Sequence, residues 1–273
     1  MKLIRIGCGS NSKPDLAGNP PANVICVQEL GATLRTLPHK LARISASALI
    51  LLVAQSVLAA NEKYPAKITA PKKFNSVAAV LKEYGKPVRQ KLTAVFQAQK
   101  IDYPPPAMTW ICLKQERLLM LFAKDKAGQT RRVLSYPIIG ASGVSGPKLK
   151  EGDMQVPEGF YKIAGFRPNL EAHMGLDVDY PNAADRAHAK EDRRRNLGSD
   201  ILIHGSRWST GCLAMGNEPI EEMFVLAHDA GIKNIALIFA PCDLTKNEAD
   251  VDFAKQPKWL PKLYSDLRKA MNE

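Results

Sequence analysis

Ile203-His204-Gly205-Ser206-Arg207-Trp208-Ser209-Thr210-Gly211-Cys212 places a histidine at the end of an apolar run and a cysteine just after a glycine. A thiol is a good nucleophile only as thiolate, and an imidazole beside it can take the proton. Glycine lets backbone approach a substrate closely, and Gly211 leaves the neighbouring N–H groups able to face an oxyanion. The run Asp200-Ile201-Leu202-Ile203 reads as a strand leading into His204-Gly205, with an irregular polar turn carrying the chain to Cys212. Taken singly, a cysteine in apolar company is a small buried hydrophobe and a lone histidine a satisfied core or surface residue. A structural zinc site needs paired short spacings, and this stretch has one Cys and one His. The combination therefore points to acyl transfer.

Outward from this stretch, three apolar runs separated by turn residues read as meander strands: Met108–Leu113, Leu118–Ala123 and Arg131–Ile139. Gly159–Phe166 and Asp200–His204 continue the sheet, and Asn234–Phe239 is its last buried strand. Phe74 to Tyr84 and Val88 to Lys100 read as two short amphipathic helices around Gly85 and Pro87. A further helix is predicted from Glu218 to Ala230, with Asn217 as N-cap, Gly231 past its end and a core stripe of Ile220, Met223, Phe224 and Ala227. The segment from Phe166 to Ser199 reads as a long irregular loop, a candidate flap whose run Glu191-Asp192-Arg193-Arg194-Arg195 could meet a carboxylate. Lys255 to Asn272 is a basic amphipathic stretch suited to docking. His173 and His188 lack short-spaced partners, so neither is read as a metal ligand.

A second motif lies upstream, in Gly146-Pro147-Lys148-Leu149-Lys150-Glu151-Gly152-Asp153-Met154-Gln155-Val156-Pro157-Glu158-Gly159-Phe160-Tyr161. Together with His204-Gly205 and Ser209-Thr210-Gly211-Cys212, it resembles the L,D-transpeptidase catalytic domain, the YkuD-like family, over roughly residues 108–242. The resemblance implies a mainly β fold with flanking helices, a YkuD-like β-sandwich catalytic domain. It makes Cys212 the nucleophile and His204 the general base. The Gly205 carbonyl would orient the imidazole, and the N–H groups of Gly211 and Cys212 would form the oxyanion hole. Ser209, Thr210, Arg207 and Trp208, on the same turn, are the candidate substrate-binding residues. The implied substrate is a peptidoglycan stem peptide, attacked at diaminopimelate through a thioester, with no cofactor and no metal.

The chain departs from the family pattern in three ways. Thr210 stands where the family has His. Ala214 stands where Arg is common, and loss of a guanidinium removes a bidentate carboxylate ligand. The spacer between His204 and Cys212 is short. These features are similar to a branch with His-Gly-x-x-x-Ser-x-Gly-Cys-x-Ala-Met, which includes an amidase that detaches lipoprotein from peptidoglycan. An envelope lipoprotein is thus an alternative partner, and a non-catalytic wall-binding module the contrasting class.

The 273 residues carry a net charge of +11, with 45% hydrophobic and 24% charged residues, a globular balance. Residues 1–59 hold six Lys/Arg and two acids, so the remainder keeps +7. A basic surface suits an anionic polymer. With 7% aromatic residues and no nucleic-acid module, the cell wall is the expected partner rather than nucleic acid. Basic residues before the apolar run Ile44 to Leu58, and Val57-Leu58-Ala59-Ala60-Asn61 after it, read as a secretory signal and its cleavage site. This implies a periplasmic location, with the membrane touched only through the signal segment. The expected organisation is a leader at 1–37, with a true start near Leu34 or Leu37, then a signal peptide at 38–59. A helical segment at 60–106, a catalytic domain at 107–243 and a helical tail at 244–273 follow. Cys112, Cys212 and Cys242 remain in the mature chain, where a Cys112–Cys242 disulfide is an open alternative.

Overall fold

The computed structural model describes residues 71–273. The leader, the signal segment and the start of the expected helical segment lie outside the described residues. The helical flanks at 71–106 and 244–273 share one compact unit, Tyr64–Glu273, with the sheet between them.

Eight strands form one mixed sheet: β1 (Met108–Leu113), β2 (Leu118–Lys124), β3 (Thr130–Pro137), β4 (Gly159–Leu170), β5 (His173–Val178), β6 (Leu202–His204), β7 (Leu213–Ala214) and β8 (Ile235–Ala240). Their spatial order is β3-β2-β1-β8-β4-β5-β6-β7. Among the described residues, four α-helices flank it: α1 (Val77–Ala98), α2 (Ala183–Glu191), α3 (Asn217–Ala230) and α4 (Leu260–Met271). The expected sheet with flanking helices is therefore the observed architecture.

Successive strand side chains point to opposite faces, and the sequence fills both faces with apolar groups. Trp110 and Cys112 of β1, Leu119 and Leu121 of β2, and Leu237 and Phe239 of β8 face one core, shared with α1 and α3. Ile111 and Leu113, Met120, and Ile238 and Ala240 face a second core, closed by Leu260, Tyr264 and Leu267 of α4. Cys112 and Cys242 thus belong to different cores, and both are free thiols. β4 joins the two halves of the sheet. Its residues Gly159–Lys162 pair with β8, and from Ile163 onward it pairs with β5.

Three expectations are corrected. The two short helices before the sheet are one continuous helix, α1, running through Pro87. Proline removes a helical N–H and crowds the preceding turn. Here Val80, Val88, Leu92 and Phe96, spaced by multiples of four, bury one unbroken stripe, and that packing overrides the local break. The long loop from Phe166 to Ser199 is instead the end of β4, all of β5, and α2. Asn182 and Asp185 form a reciprocal capping box that starts α2, a pairing legible in the sequence but overlooked. Finally, α3 has Gly216 rather than Asn217 as its N-cap, with no side-chain capping bond. It is also buried well beyond the expected stripe, including Glu222, Val225 and Leu226. Glu222 is held by Lys91 and by the Tyr136 hydroxyl at 2.9 Å.

Candidate active site

β6 and β7 are short parallel neighbours, with Ile203 opposite Leu213 and His204 opposite Ala214. The turn from Gly205 to Cys212 is all that links them, so His204 at the end of β6 and Cys212 at the entry to β7 are held by adjacent strands. Asn217, freed from capping, accepts the Ser206 N–H at 2.9 Å and fixes the start of this turn. Ser206 accepts the Gly216 N–H at 3.0 Å, and His204 accepts that of Met215 at 2.8 Å. The segment after β3 closes the other side, where Gly140 and Ala214 exchange backbone bonds of 3.1 and 2.8 Å.

His204 is buried, and its Nδ1 lies 2.6 Å from the Gly205 carbonyl oxygen. A carbonyl only accepts, so Nδ1 carries the proton and Nε2 the lone pair. Burial holds the imidazole below its ordinary pKa, against the opposing pull of the Gly205 carbonyl. The resting ring is therefore a neutral, oriented base.

The Cys212 thiol rests against the opening of β6. It donates to the Asp200 carbonyl at 3.4 Å and accepts from the Leu202 N–H at 3.4 Å. Burial raises its pKa, the Leu202 N–H lowers it, the Asp200 charge raises it and the Lys148 charge lowers it. The thiol is thus protonated at rest and turned to backbone rather than to the imidazole. His204 is not among the groups that shift the thiol in this resting arrangement. A second difference concerns the oxyanion donors. The Cys212 N–H donates to Ser209 Oγ at 2.9 Å, and that hydroxyl donates to the Cys212 carbonyl at 2.5 Å. A substrate oxygen must displace Ser209 to use this amide. Gly211 has φ 113, a backbone region that side-chain-bearing residues avoid.

Arg207 and Thr210 point outward on the same turn, and the Trp208 side chain lies in solvent with 81% exposure. Arg207 makes no hydrogen bond or ion pair among the described residues. Arg194 of the expected flap is spent on Asp192 and on the Leu149 carbonyl. Ala214 is fully buried, so the missing guanidinium is not replaced at its own position.

The wall facing the turn is the segment between β3 and β4, whose role the motif spacing did not disclose. Asp153 gathers it, accepting from Lys148 Nζ at 2.6 Å and from the amides of Leu149, Lys150 and Gln155. Gln155 then bridges two loops. Its side chain accepts the Val144 N–H at 3.1 Å, and its carbonyl lies 3.3 Å from where a Cβ on Gly211 would stand. Clefts of about 290 and 460 Å³ lie on either side of Val144 and Ser145. A larger groove of about 1100 Å³ lies between the sheet and the end of α4 and includes none of these residues. Among the described residues, no group of three His, Cys, Asp or Glu side chains is placed to hold a metal ion. Nor is any helix among them long and apolar enough to cross a membrane.

Two outcomes follow from this packing. Cys212 is expected to react first with iodoacetamide, well ahead of the other two thiols. Cys112 and Cys242 are buried, and that burial pushes their pKa values up to about 12 and about 11. Peptide mapping of alkylated protein reads the order, and equal labelling of all three would contradict it. Gly140→Ala should damage the site, because the new Cβ would fall far inside contact distance of the Arg207 carbonyl oxygen. Backbone cannot yield as a flexible side chain does, so a loss of about 1–3 kcal/mol is expected. Chemical denaturation measures it, and unchanged stability with unchanged Cys212 labelling would show the turn to be pliable.

Residues 108–231 match the family model described as the L,D-transpeptidase catalytic domain, YkuD. Proteins of Escherichia coli strains K12 and O157:H7, each named "Putative L,D-transpeptidase YafK", are 40% identical over 114 residues. That alignment spans 41% of this chain and 43% of the relative, so the chain matches less than half of the relative's length. The helical cell shape determining protein Pgp2 from Campylobacter jejuni is 17% identical, with a TM-score of 0.41 over 61% of this chain and 69% of its own. Bdellovibrio bacteriovorus Bd1075 is also 17% identical, with a TM-score of 0.37 over 60% of this chain and 55% of its own. Both structural likenesses are loose, and it is the sequence match, spanning β1 to α3 with His204 and Cys212 inside it, that places residues 108–231 in the L,D-transpeptidase catalytic-domain family.

Proposed function

We propose that this protein is a peptidoglycan-modifying cysteine acyltransferase, an L,D-transpeptidase acting through Cys212. The observation that carries this reading is the buried His204, oriented by the Gly205 carbonyl, at the end of the strand whose Leu202 N–H meets the Cys212 thiol. Nε2 takes the proton from the thiol as sulfur attacks an amide carbonyl. The oxyanion meets the Gly211 N–H and, once Ser209 is displaced, the Cys212 N–H. The imidazolium then protonates the departing amine, leaving a thioester. An incoming amine or water gives its proton back to Nε2 and releases the acyl group. The exposed Arg207 on the turn supplies the carboxylate anchor that Ala214 lacks, and Trp208 beside it offers an apolar surface to the donor peptide. The substrate is a stem peptide cleaved at diaminopimelate, and the site of action is the periplasmic side of the envelope, reached through the segment at 38–59.

A second reading is an amidase that releases a covalently attached lipoprotein. The buried Ala214 favours it, since a looser hold on the stem carboxylate tolerates a bulkier leaving group. Mass spectrometry of tetrapeptide muropeptides and of protein-linked sacculi, each incubated with the purified protein, separates the two. New diaminopimelate cross-links and a Cys212-linked acyl adduct are the expected products. Release of protein without cross-links identifies the amidase. No product from either substrate, with Cys212 reactive towards alkylators, overturns the peptidoglycan assignment.

A further inference from the structure

Asp200 occupies an unusual position for an acid. Its backbone is left-handed, with φ 55, a conformation uncommon for residues other than glycine. That turn aims its carbonyl at the nucleophile, where it accepts the Cys212 thiol proton at 3.4 Å. Its carboxylate meanwhile faces water, with the side chain 76% exposed. The cation nearest to it is Arg167, at 3.5 Å, and the Nε of that same guanidinium is held by both oxygens of Asp177 at 2.9 and 2.8 Å. The Ser199 hydroxyl reaches it only at 3.4 Å. The carboxylate is therefore exposed, weakly partnered and carried by the residue whose carbonyl holds a sulfur that must lose a proton. Its field opposes that loss, while Lys148 on the facing wall assists it. A negative charge at this point hinders the chemistry unless the substrate brings a positive one.

We infer that Asp200 is a specificity-determining residue that receives a primary ammonium group carried by the substrate, and that its neutralisation by that group readies Cys212 for attack. The inference rests on Cys212 as the nucleophile, under the function proposed above, but not on peptidoglycan as the substrate. When the ammonium pairs with the carboxylate, the field opposing ionisation is cancelled, and the thiol proton passes to His204 Nε2 as sulfur attacks. A donor lacking the free amine leaves the field in place. The left-handed backbone serves the same end, because it holds the thiol by the Asp200 carbonyl while presenting the carboxylate to incoming substrate.

The test uses the full chain and three small methanethiosulfonates: the cationic 2-aminoethyl, the anionic 2-sulfonatoethyl and the neutral methyl reagent. Peptide mapping follows modification of Cys212 alone. Asp200→Asn keeps a residue type that tolerates the left-handed backbone and removes only the charge. The ratio of cationic to anionic rates is expected to fall about five-fold in the variant, as for loss of one nearby charge at partly solvated range. The neutral reagent corrects for any general change in access, which would move all three rates together. With a stem-peptide donor hydrolysed by water, so that no substrate amine is the acceptor, acetylating the donor's free amine should raise KM for the natural protein and leave Asp200→Asn unaffected. A reactive Cys212 whose charge ratio is unchanged in Asp200→Asn overturns the role of Asp200 alone. A Cys212 inert to all three reagents overturns the nucleophile and this inference with it.

Discussion

Replacing His204 by alanine is expected to lower kcat by about 10²–10⁴-fold, the range for loss of a positioned general base, while Cys212→Ala abolishes turnover. The resting thiol is protonated and bound to backbone, so the substrate complex cannot proceed without a base to receive the proton. No other described side chain stands in for His204, whose orientation comes from the Gly205 carbonyl. Because burial depresses the pKa of the imidazole, the neutral base persists into mildly acidic solution. The acid limb of kcat/KM should therefore fall below the ordinary histidine value of about 6.5, and activity is lost as pH drops through that lowered value. Steady-state kinetics of muropeptide turnover across pH 4–9 (about five units) reads both effects. A His204→Ala variant within three-fold (roughly) of the natural rate would remove His204 from the chemistry.

The second large effect concerns stability. Glu158 is sealed from solvent and pairs at 2.9 Å with Lys114, itself only 7% exposed. Glu158 also accepts from the Gly146 N–H at 2.9 Å and the Tyr264 hydroxyl at 2.7 Å, while Lys114 holds the carbonyls of Gly146 and Val156 at 2.8 Å. Glu158→Ala leaves a buried ammonium without its counter-charge and cuts the tie between α4 and the wall of the site. A buried pair broken on one side costs about 3–5 kcal/mol. For a unit of this size that corresponds to a fall in Tm of roughly 10 °C. Replacing both partners by apolar residues should recover much of the loss. Differential scanning calorimetry of the single and double variants decides it, and a single variant melting with the natural protein would show the pair to be dispensable.

The strands were legible because their chemistry is local. Near-continuous apolar runs in Met108–Leu113 and Asn234–Phe239 identify buried strands without reference to partners, and the observed bounds differ by a residue or so. His204 and Cys212 were legible for the same reason, since one short turn holds both. Long-range packing accounts for most of what the sequence hid. Nothing near Pro87 announces that a stripe from Val80 to Phe96 will bury as one surface. The outer half of β4 alternates too weakly to be read as a strand until β5 folds back on it. Asp200 gave no signal at all. Its importance depends on a backbone angle and on a sulfur twelve residues away.

The order in which the strands become available bears on how this protein is made. β8, the strand that sits between β1 and β4, is the last of the eight in the chain and lies beyond the family-matched stretch. A chain emerging from its N-terminal end presents β1–β3 and β4–β7 as two separate ribbons, each with an open edge where Ile235–Ala240 will later insert. The base is already on β6, and the nucleophile at the entry to its neighbour β7, before the sheet that supports them is joined. During synthesis, those two edges are the exposed, association-prone surfaces until residue 240 has emerged.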